Sequence, residues 1–129
     1  MVTLTYLDTS AAMKLLAEEA ESEALAATLG DGGEHTLVAS WLLHTELHCA
    51  AGRREGIDLA SVAIVLGMLD LVDLSRGDMI AAGGHAPLRS NDAIHLAVAV
   101  RLGVDELVTY DAELAAAATR MGILVSSPR

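Results

Sequence analysis

Phenylalanine is absent from this chain, and tryptophan and tyrosine together contribute three residues. Since 53% of the residues are nevertheless hydrophobic, the core has to be built from Ala, Leu, Val and Ile. That small aliphatic composition favours close helix packing over a β-sandwich. The single cysteine, Cys49, excludes an intramolecular disulfide, and no C-x-x-C pair exists, so a reducing compartment is expected. Basic residues are scarce: 8 against 18 acidic ones, for a formal charge of −10. Non-specific nucleic-acid binding needs clustered Lys and Arg to displace counterions, so this balance argues against it. It does not exclude nucleic acid as a substrate met by a local basic rim, and it suits a cation ligand or a basic protein partner. Long apolar runs are missing too. The longest, "LASVAIVLGML" (59–69), is too short to span a bilayer. The N-terminus has no basic stretch leading into an apolar one, and Asp8 interrupts it, so no secretory signal is expected. These absences together describe a soluble cytoplasmic protein with no membrane association. Its 129 residues make one domain, 1–129, with a sizeable core.

What is present alternates. "VTLTYL" (2–7) reads as a strand apolar on both faces, hence central in a sheet. One or two helices follow up to the loop "GDGGE", then a strand "HTLVAS" (35–40) and a helix "WLLHTELHCAAGRREG" closed by Gly56. The segment 59–69 reads as a helix, "LVDL" (71–74) as a strand, and "RGDMIAAGGHAP" as a weak helix broken by glycines and Pro87. A long helix at 90–102, the strand "ELVTY", the helix "DAELAAAATRMG" and a final strand "ILVSS" complete the chain. Short strands separated by helices predict crossover connections. The expected fold is a three-layer α/β/α sandwich on a mostly parallel sheet of four or five strands. Ligands of such sheets bind beyond the carboxyl ends of the strands, where strand order switches. Asp8 follows the first strand and Asp111 the fourth.

Four carboxylates stand out: Asp8 in "YLDTSA", Glu46 in "LLHTELHCA", Asp92 in "SNDAIHLA" and Asp111 in "TYDAEL". Taken singly, Asp8, Asp92 and Asp111 also suit plain helix-start residues that satisfy free amides and the helix dipole. Glu46 shares its helix face with Leu42, Leu43, Cys49 and Ala50, an apolar stripe on which a carboxylate is costly unless paired or bound to a cation. If the four converge, mutual repulsion forces proton uptake unless a cation intervenes. Mg²⁺ or Mn²⁺ prefers oxygen ligands and retains water. Such an ion activates water and stabilises the charge that builds up in phosphodiester hydrolysis.

The segments "YLDTSA", "LLHTELHCA", "LRSNDAIHLAVAVRLG" and "LVTYDAEL" followed by "GI" resemble those of PIN-domain nucleases, most closely the VapC toxins of bacterial toxin–antitoxin pairs. The likeness runs from Tyr6 to about Leu124, and "LRSNDAIHLAVA" is its most specific part. It implies a PIN-like α/β/α fold, a Mg²⁺- or Mn²⁺-dependent endoribonuclease acting on RNA, frequent homodimers and inhibition by a VapB-type antitoxin. The family's acidic residues match Asp8, Glu46, Asp92 and Asp111. Its hydroxyl after the first aspartate matches Thr9 or Ser10, and its hydroxyl before the last one matches Thr109. Asn91 stands where many relatives carry an apolar residue. The competing expectation is a catalytically silent PIN-like or receiver-like interaction module. A receiver needs a lysine after its fifth strand, and "ILVSSPR" offers none.

Other candidates are weaker. His44 and His48 lie i, i+4, but Glu46 points roughly 160° away from both on one helix, so "HTELH" does not assemble a zinc site. His95 is expected to be structural and Cys49 to pack within its helix. Lys14 and Arg89 neighbour the acidic segments and are candidates for meeting substrate phosphate. The 59–69 helix is expected to be core, with part of it free for a dimer or antitoxin surface.

Overall fold

A computed structural model describes residues 2–17, 20–30 and 34–129. The sheet is organised by β1 (Thr3–Leu7), whose residues Thr5, Tyr6 and Leu7 are all fully buried. Consecutive buried residues on one strand mean that both faces of the sheet are covered. Leu7 enters one core and Tyr6 the other. β1 pairs with β2 (His35–Ser40) on one side and with β4 (Glu106–Val108) on the other, with Thr5 opposite Leu37 and Tyr6 opposite Leu107. β3 (Asp70–Val72) and β5 (Leu124–Ser126) form the edges, so all five strands are parallel in the order β3-β2-β1-β4-β5. The part-buried pattern on the edge strands fits their outer position.

α1 (Thr9–Leu16), α2 (Ser22–Gly30), α3 (Trp41–Arg53) and α4 (Leu59–Gly67) supply one layer. It is packed through Ala11, Ala12, Leu25, Leu43, Leu47, Val62 and Val65. The other layer holds α6 (Ser90–Leu102) and α7 (Ala112–Arg120), with Leu96, Val98, Ala99, Leu114 and Ala118 against Tyr6 and Leu107. α5 (Arg76–Ala82) and the 3-10 turn Gly83–His85 lean on α6. Alanines at Ala93, Ala97, Ala99, Ala117 and Ala118 fill the buried helix faces. This is the close packing that a composition without Phe demands. α6 ends where Gly103 adopts φ +62, a left-handed cap that only glycine enters without strain.

The three-layer arrangement is therefore the expected one. The segment after Asp8 is two helices rather than one, with Ser22 Oγ donating to the Ala17 carbonyl between them. β4 stops at Val108, two residues short of the expected strand, because Thr109 and Tyr110 turn into the site described below. The 59–69 stretch is only half core. Val62 and Val65 are buried, while Leu59, Ile64 and Met68 are exposed. Among the described residues, no helix is long and apolar enough to cross a membrane.

Candidate active site

β1 and β4 are adjacent, and from them the sheet extends in opposite directions, through β2 and through β5. Their carboxyl ends therefore frame the crevice where a parallel sheet opens to ligands. Asp8 leaves β1 there and is 1% exposed. Its Oδ1 accepts hydrogen bonds from the Ala11 amide (3.0 Å) and Ser10 Oγ (2.7 Å), and its Oδ2 accepts one from Thr109 Oγ1 (2.6 Å). The two hydroxyls are themselves held. Tyr110 N–H donates to Ser10 Oγ at 2.9 Å and Asp111 N–H to Thr109 Oγ1 at 3.0 Å. The turn after β4 is thus tied to the turn after β1. Burial pushes the Asp8 carboxyl above its ordinary pKa, against the pull of these donors. Asp8 also caps α1, so the helix-start role and a site role coincide in one side chain.

Glu46 projects from α3 towards α6. There Nε2 of the fully buried His95 lies 2.6 Å from Glu46 Oε1 and 3.1 Å from Thr9 Oγ1. On the other side of the ring, Nδ1 is 2.7 Å from Tyr6 Oη. Both ring nitrogens are thereby partnered, Nδ1 by Tyr6 and Nε2 by Glu46 and Thr9. Asn91 Nδ2 donates to the second oxygen, Oε2, at 3.3 Å. Burial raises the Glu46 pKa, but the hydrogen bond and charge of His95 outweigh it and leave the group below the usual carboxylate range.

Asp92 opens α6 and is half-buried. It is not the helix cap, a position held by Arg89, and among the described residues it has no hydrogen-bond or ion-pair partner. Burial raises its pKa first. The negative charges of Asp111, Asp8 and Glu46 add to the shift, and His95 partly offsets it. Asp111 caps α7 through Oδ1, which accepts the Leu114 amide at 2.9 Å. The four carboxylates thus share one electrostatic neighbourhood, with Asp92 feeling all the others. Among the described residues, however, no three His, Cys, Asp or Glu side chains stand in a ready-made metal-holding arrangement. The donor set still fits a hard divalent ion in kind. It is all oxygen, and Asp92, raised first by burial and then by the charges of Asp111, Asp8 and Glu46, stands in a negative field that a cation would relieve.

The remaining candidates divide. Ser10 and Thr109 bond Asp8, whereas Thr9 turns to His95, so of the two hydroxyls after Asp8 it is Ser10 that serves it. Lys14 does not face the carboxylates. Its Nζ lies 2.6 Å from Glu21 and 5.1 Å above the Tyr110 ring, an ion pair beside α2. Arg89 is exposed at the start of α6. Cys49, expected inside the helix packing, is exposed because the buried stripe of α3 runs through Leu43, Leu47 and Ala50. His44 and His48 stack on each other at 4.2 Å, with His44 against Trp41, away from Glu46. His95 was legible only as structural, yet it is the residue that joins Glu46 to the central strand. Its signal is its spacing of one helical turn from Asp92.

Fold and site together define an α/β/α protein with an acidic cluster at the switch point of a parallel sheet. The PIN domain model matches residues 5–119, and the chain belongs to that family. It is 39% identical over 137 residues to Ribonuclease VapC46 of Mycobacterium tuberculosis, covering 95% of this chain and 96% of that relative. It is equally 39% identical over 131 residues to Ribonuclease VapC35 of the same species, with 97% of each chain covered. Among solved structures, VapBC2 from Rickettsia felis bound to a promoter DNA fragment superposes with a TM-score of 0.77 at 14% identity. That match covers 98% of this chain and 100% of the other. Mycobacterium tuberculosis VapC20, a Sarcin-Ricin loop cleaving toxin, gives 0.72 at 16% identity over 88% and 94%.

Proposed function

We propose that this protein is a divalent-metal-dependent endoribonuclease, the toxin of a VapBC-type pair, restrained by a VapB-type antitoxin and acting as a cytoplasmic single-domain subunit that homodimerises. The observation that carries the reading is Asp92, a half-buried carboxylate without a hydrogen-bond donor among the described residues, whose pKa is raised by burial and by three neighbouring acids. The relatives named ribonucleases, aligned over nearly the full chain, support the reaction class.

In this reading Asp8, Glu46, Asp92 and Asp111 hold Mg²⁺ or Mn²⁺, Asp8 and Asp92 being the firmest ligands. A cation there would polarise the scissile phosphodiester and make an attacking water more acidic. The chain's own contribution is positioning. Ser10 and Thr109 fix both oxygens of Asp8 on rigid strand ends, and His95 aims Glu46 from a buried ring. Asn91 steadies the second Glu46 oxygen. Arg89, exposed at the start of α6, and Lys14 are the candidates for contact with substrate phosphate. Exposed Leu59, Ile64 and Met68 on α4 offer apolar surface for a second copy or the antitoxin.

A second reading has one observation in its favour. Glu46 is already satisfied by His95, and no ready-made metal arrangement exists among the described residues, as in a silent interaction module. RNA cleavage with Mg²⁺ or Mn²⁺, compared between wild type, Asp8→Asn and EDTA-treated protein, separates the two. The nuclease loses cleavage in both controls while Asp8→Asn keeps the circular dichroism of the fold. Equal cleavage by wild type and variant would count against the carboxylate site, and none by either with saturating metal would favour the silent module.

A further inference from the structure

A groove of about 540 Å³ runs along α3, with Glu46 the one of the four carboxylates in its lining. Thr9, Glu46 and Asn91 line it at one end, and Arg53 and Arg54 line it at the other, with Cys49 between. The direction follows from helix geometry. Glu46, Cys49 and Arg53 are spaced three and four residues apart, hence lie on one face, and two turns separate the first from the last by about 10 Å. We infer that this groove is the track of the RNA strand, with Arg53 and Arg54 gripping the phosphates next to the one held at the carboxylates. The inference rests on the nuclease reading and adds to it the substrate's path.

Three features carry it. The chain has only 8 basic residues, yet two consecutive ones, both exposed, line the end of the groove away from the carboxylates. Arg53 in the last turn of α3 also complements the helix dipole, and Arg54, the C-cap residue, lines the same groove. Guanidinium groups fork onto phosphate oxygens, and hydroxyl and amide groups such as those of Thr9 and Asn91 bond sugar and phosphate without reading bases. The span of about 10 Å corresponds to roughly three phosphates at the stacked spacing of 3.4 Å per strand, and fewer in an extended strand. A basic peptide meets two like charges at the arginine end, so nucleic acid is the occupant that charge favours.

Cys49 supplies a direct readout, being the only cysteine, exposed and in mid-groove. In EDTA, a random-sequence single-stranded RNA pool should slow alkylation of Cys49 several-fold in the wild type and leave it unchanged in an Arg53→Ala/Arg54→Ala double variant. With metal, the double variant should raise KM about tenfold at nearly constant kcat and flatten the salt dependence of binding by one to two phosphate contacts. An Arg53→Lys/Arg54→Lys variant should recover part of the KM, and thermal melts should show all forms folded. Unchanged Cys49 reactivity with RNA bound would overturn the inference, as would an unchanged KM in the double variant, or protection by an arginine-rich peptide but not by RNA. Cleavage that survives Asp8→Asn would sink the nuclease reading instead, while Cys49 protection would still report the track.

Discussion

Replacing Asp92 with Asn should abolish activity and yet stabilise the metal-free protein. Two effects oppose each other. Asp92 stands in the first turn of α6, where a negative charge gains about 0.3–1 kcal/mol from the helix dipole. Against that, it is half-buried beside Asp111, Asp8 and Glu46 without a hydrogen-bonding partner among the described residues. At an effective dielectric near 20, two charges about 8 Å apart repel by about 2 kcal/mol, and partial exposure and salt reduce this. Even after that discount, three like-charged neighbours outweigh one dipole. The net expectation is a gain of about 1 kcal/mol, or about 4 °C in Tm for a chain of this size. The sign with pH follows. A folded pKa raised above the ordinary 3.8 means the charged form costs stability above the folded value, and the cost vanishes below 3.8. The advantage of the Asn variant should therefore shrink as the solution is acidified.

Metal reverses the order. An ion bound only by the folded wild type adds about 2.7 kcal/mol at a hundred times its Kd, and the variant, lacking a ligand, gains little. Thermal melts of both proteins in EDTA and in Mn²⁺ at neutral pH give the four numbers required. A lower Tm for Asp92→Asn in EDTA, or an equal rise of both proteins with Mn²⁺, would refute the claim that a repulsive carboxylate field exists for a cation to relieve.

Two further substitutions probe the frame around the site. His95→Ala empties a fully buried position and strips Tyr6 and Glu46 of their shared partner. It should cost about 3 kcal/mol and weaken Mn²⁺ binding by calorimetry, with His95→Gln restoring part of both; unaltered melting would deny the relay any structural weight. Arg101→Met removes Nε and Nη2 bonds of 2.7 and 3.0 Å from the 2%-exposed Asp78. It should cost about 2 kcal/mol at neutral pH, less than a fully buried pair because Arg101 itself is part-exposed. The hydrogen bond from Arg101 holds the Asp78 pKa below 3.8, so the pair's stabilisation is present above that value and lost as pH falls through the depressed one. Melts of the two proteins should then converge in acid.

The parts of this structure that could be read from sequence are those set by local pattern. β1 shows as a β-branched run apolar on both faces, and Asp8 and Asp111 as the residues just past strand ends. Glu46 was conspicuous because a carboxylate on an apolar stripe needs compensation. What supplies that compensation was not legible. His95 is 49 residues from Glu46 and 89 from Tyr6, and only the layering of α3, β1 and α6 brings them together. The ion pair of Lys14 was not legible for the converse reason. Its partner Glu21 lies seven residues on, and one helix or two were equally readable there, so the sequence did not decide whether the pair meets. Cys49 shows the limit of periodicity itself, since a residue at the rim of an apolar stripe is assigned inward or outward only by what packs on it.

The charge of the whole molecule constrains how such a site can be used. With −10 formal charges, the protein repels RNA at long range, and several of its few cations are already committed. Lys14 and Arg129 pair with Glu21, and Arg101 pairs with Asp78. On the reading proposed above, recruitment of a polyanion is then local, through divalent charge at the carboxylates and the arginines of the groove, within about 8–10 Å at physiological salt. A protein partner whose docking segment is basic meets the opposite situation, because the same field steers it in and raises its association rate. The acidity that slows encounter with substrate therefore speeds encounter with a basic inhibitor, so in a mixture of the two the inhibitor arrives first.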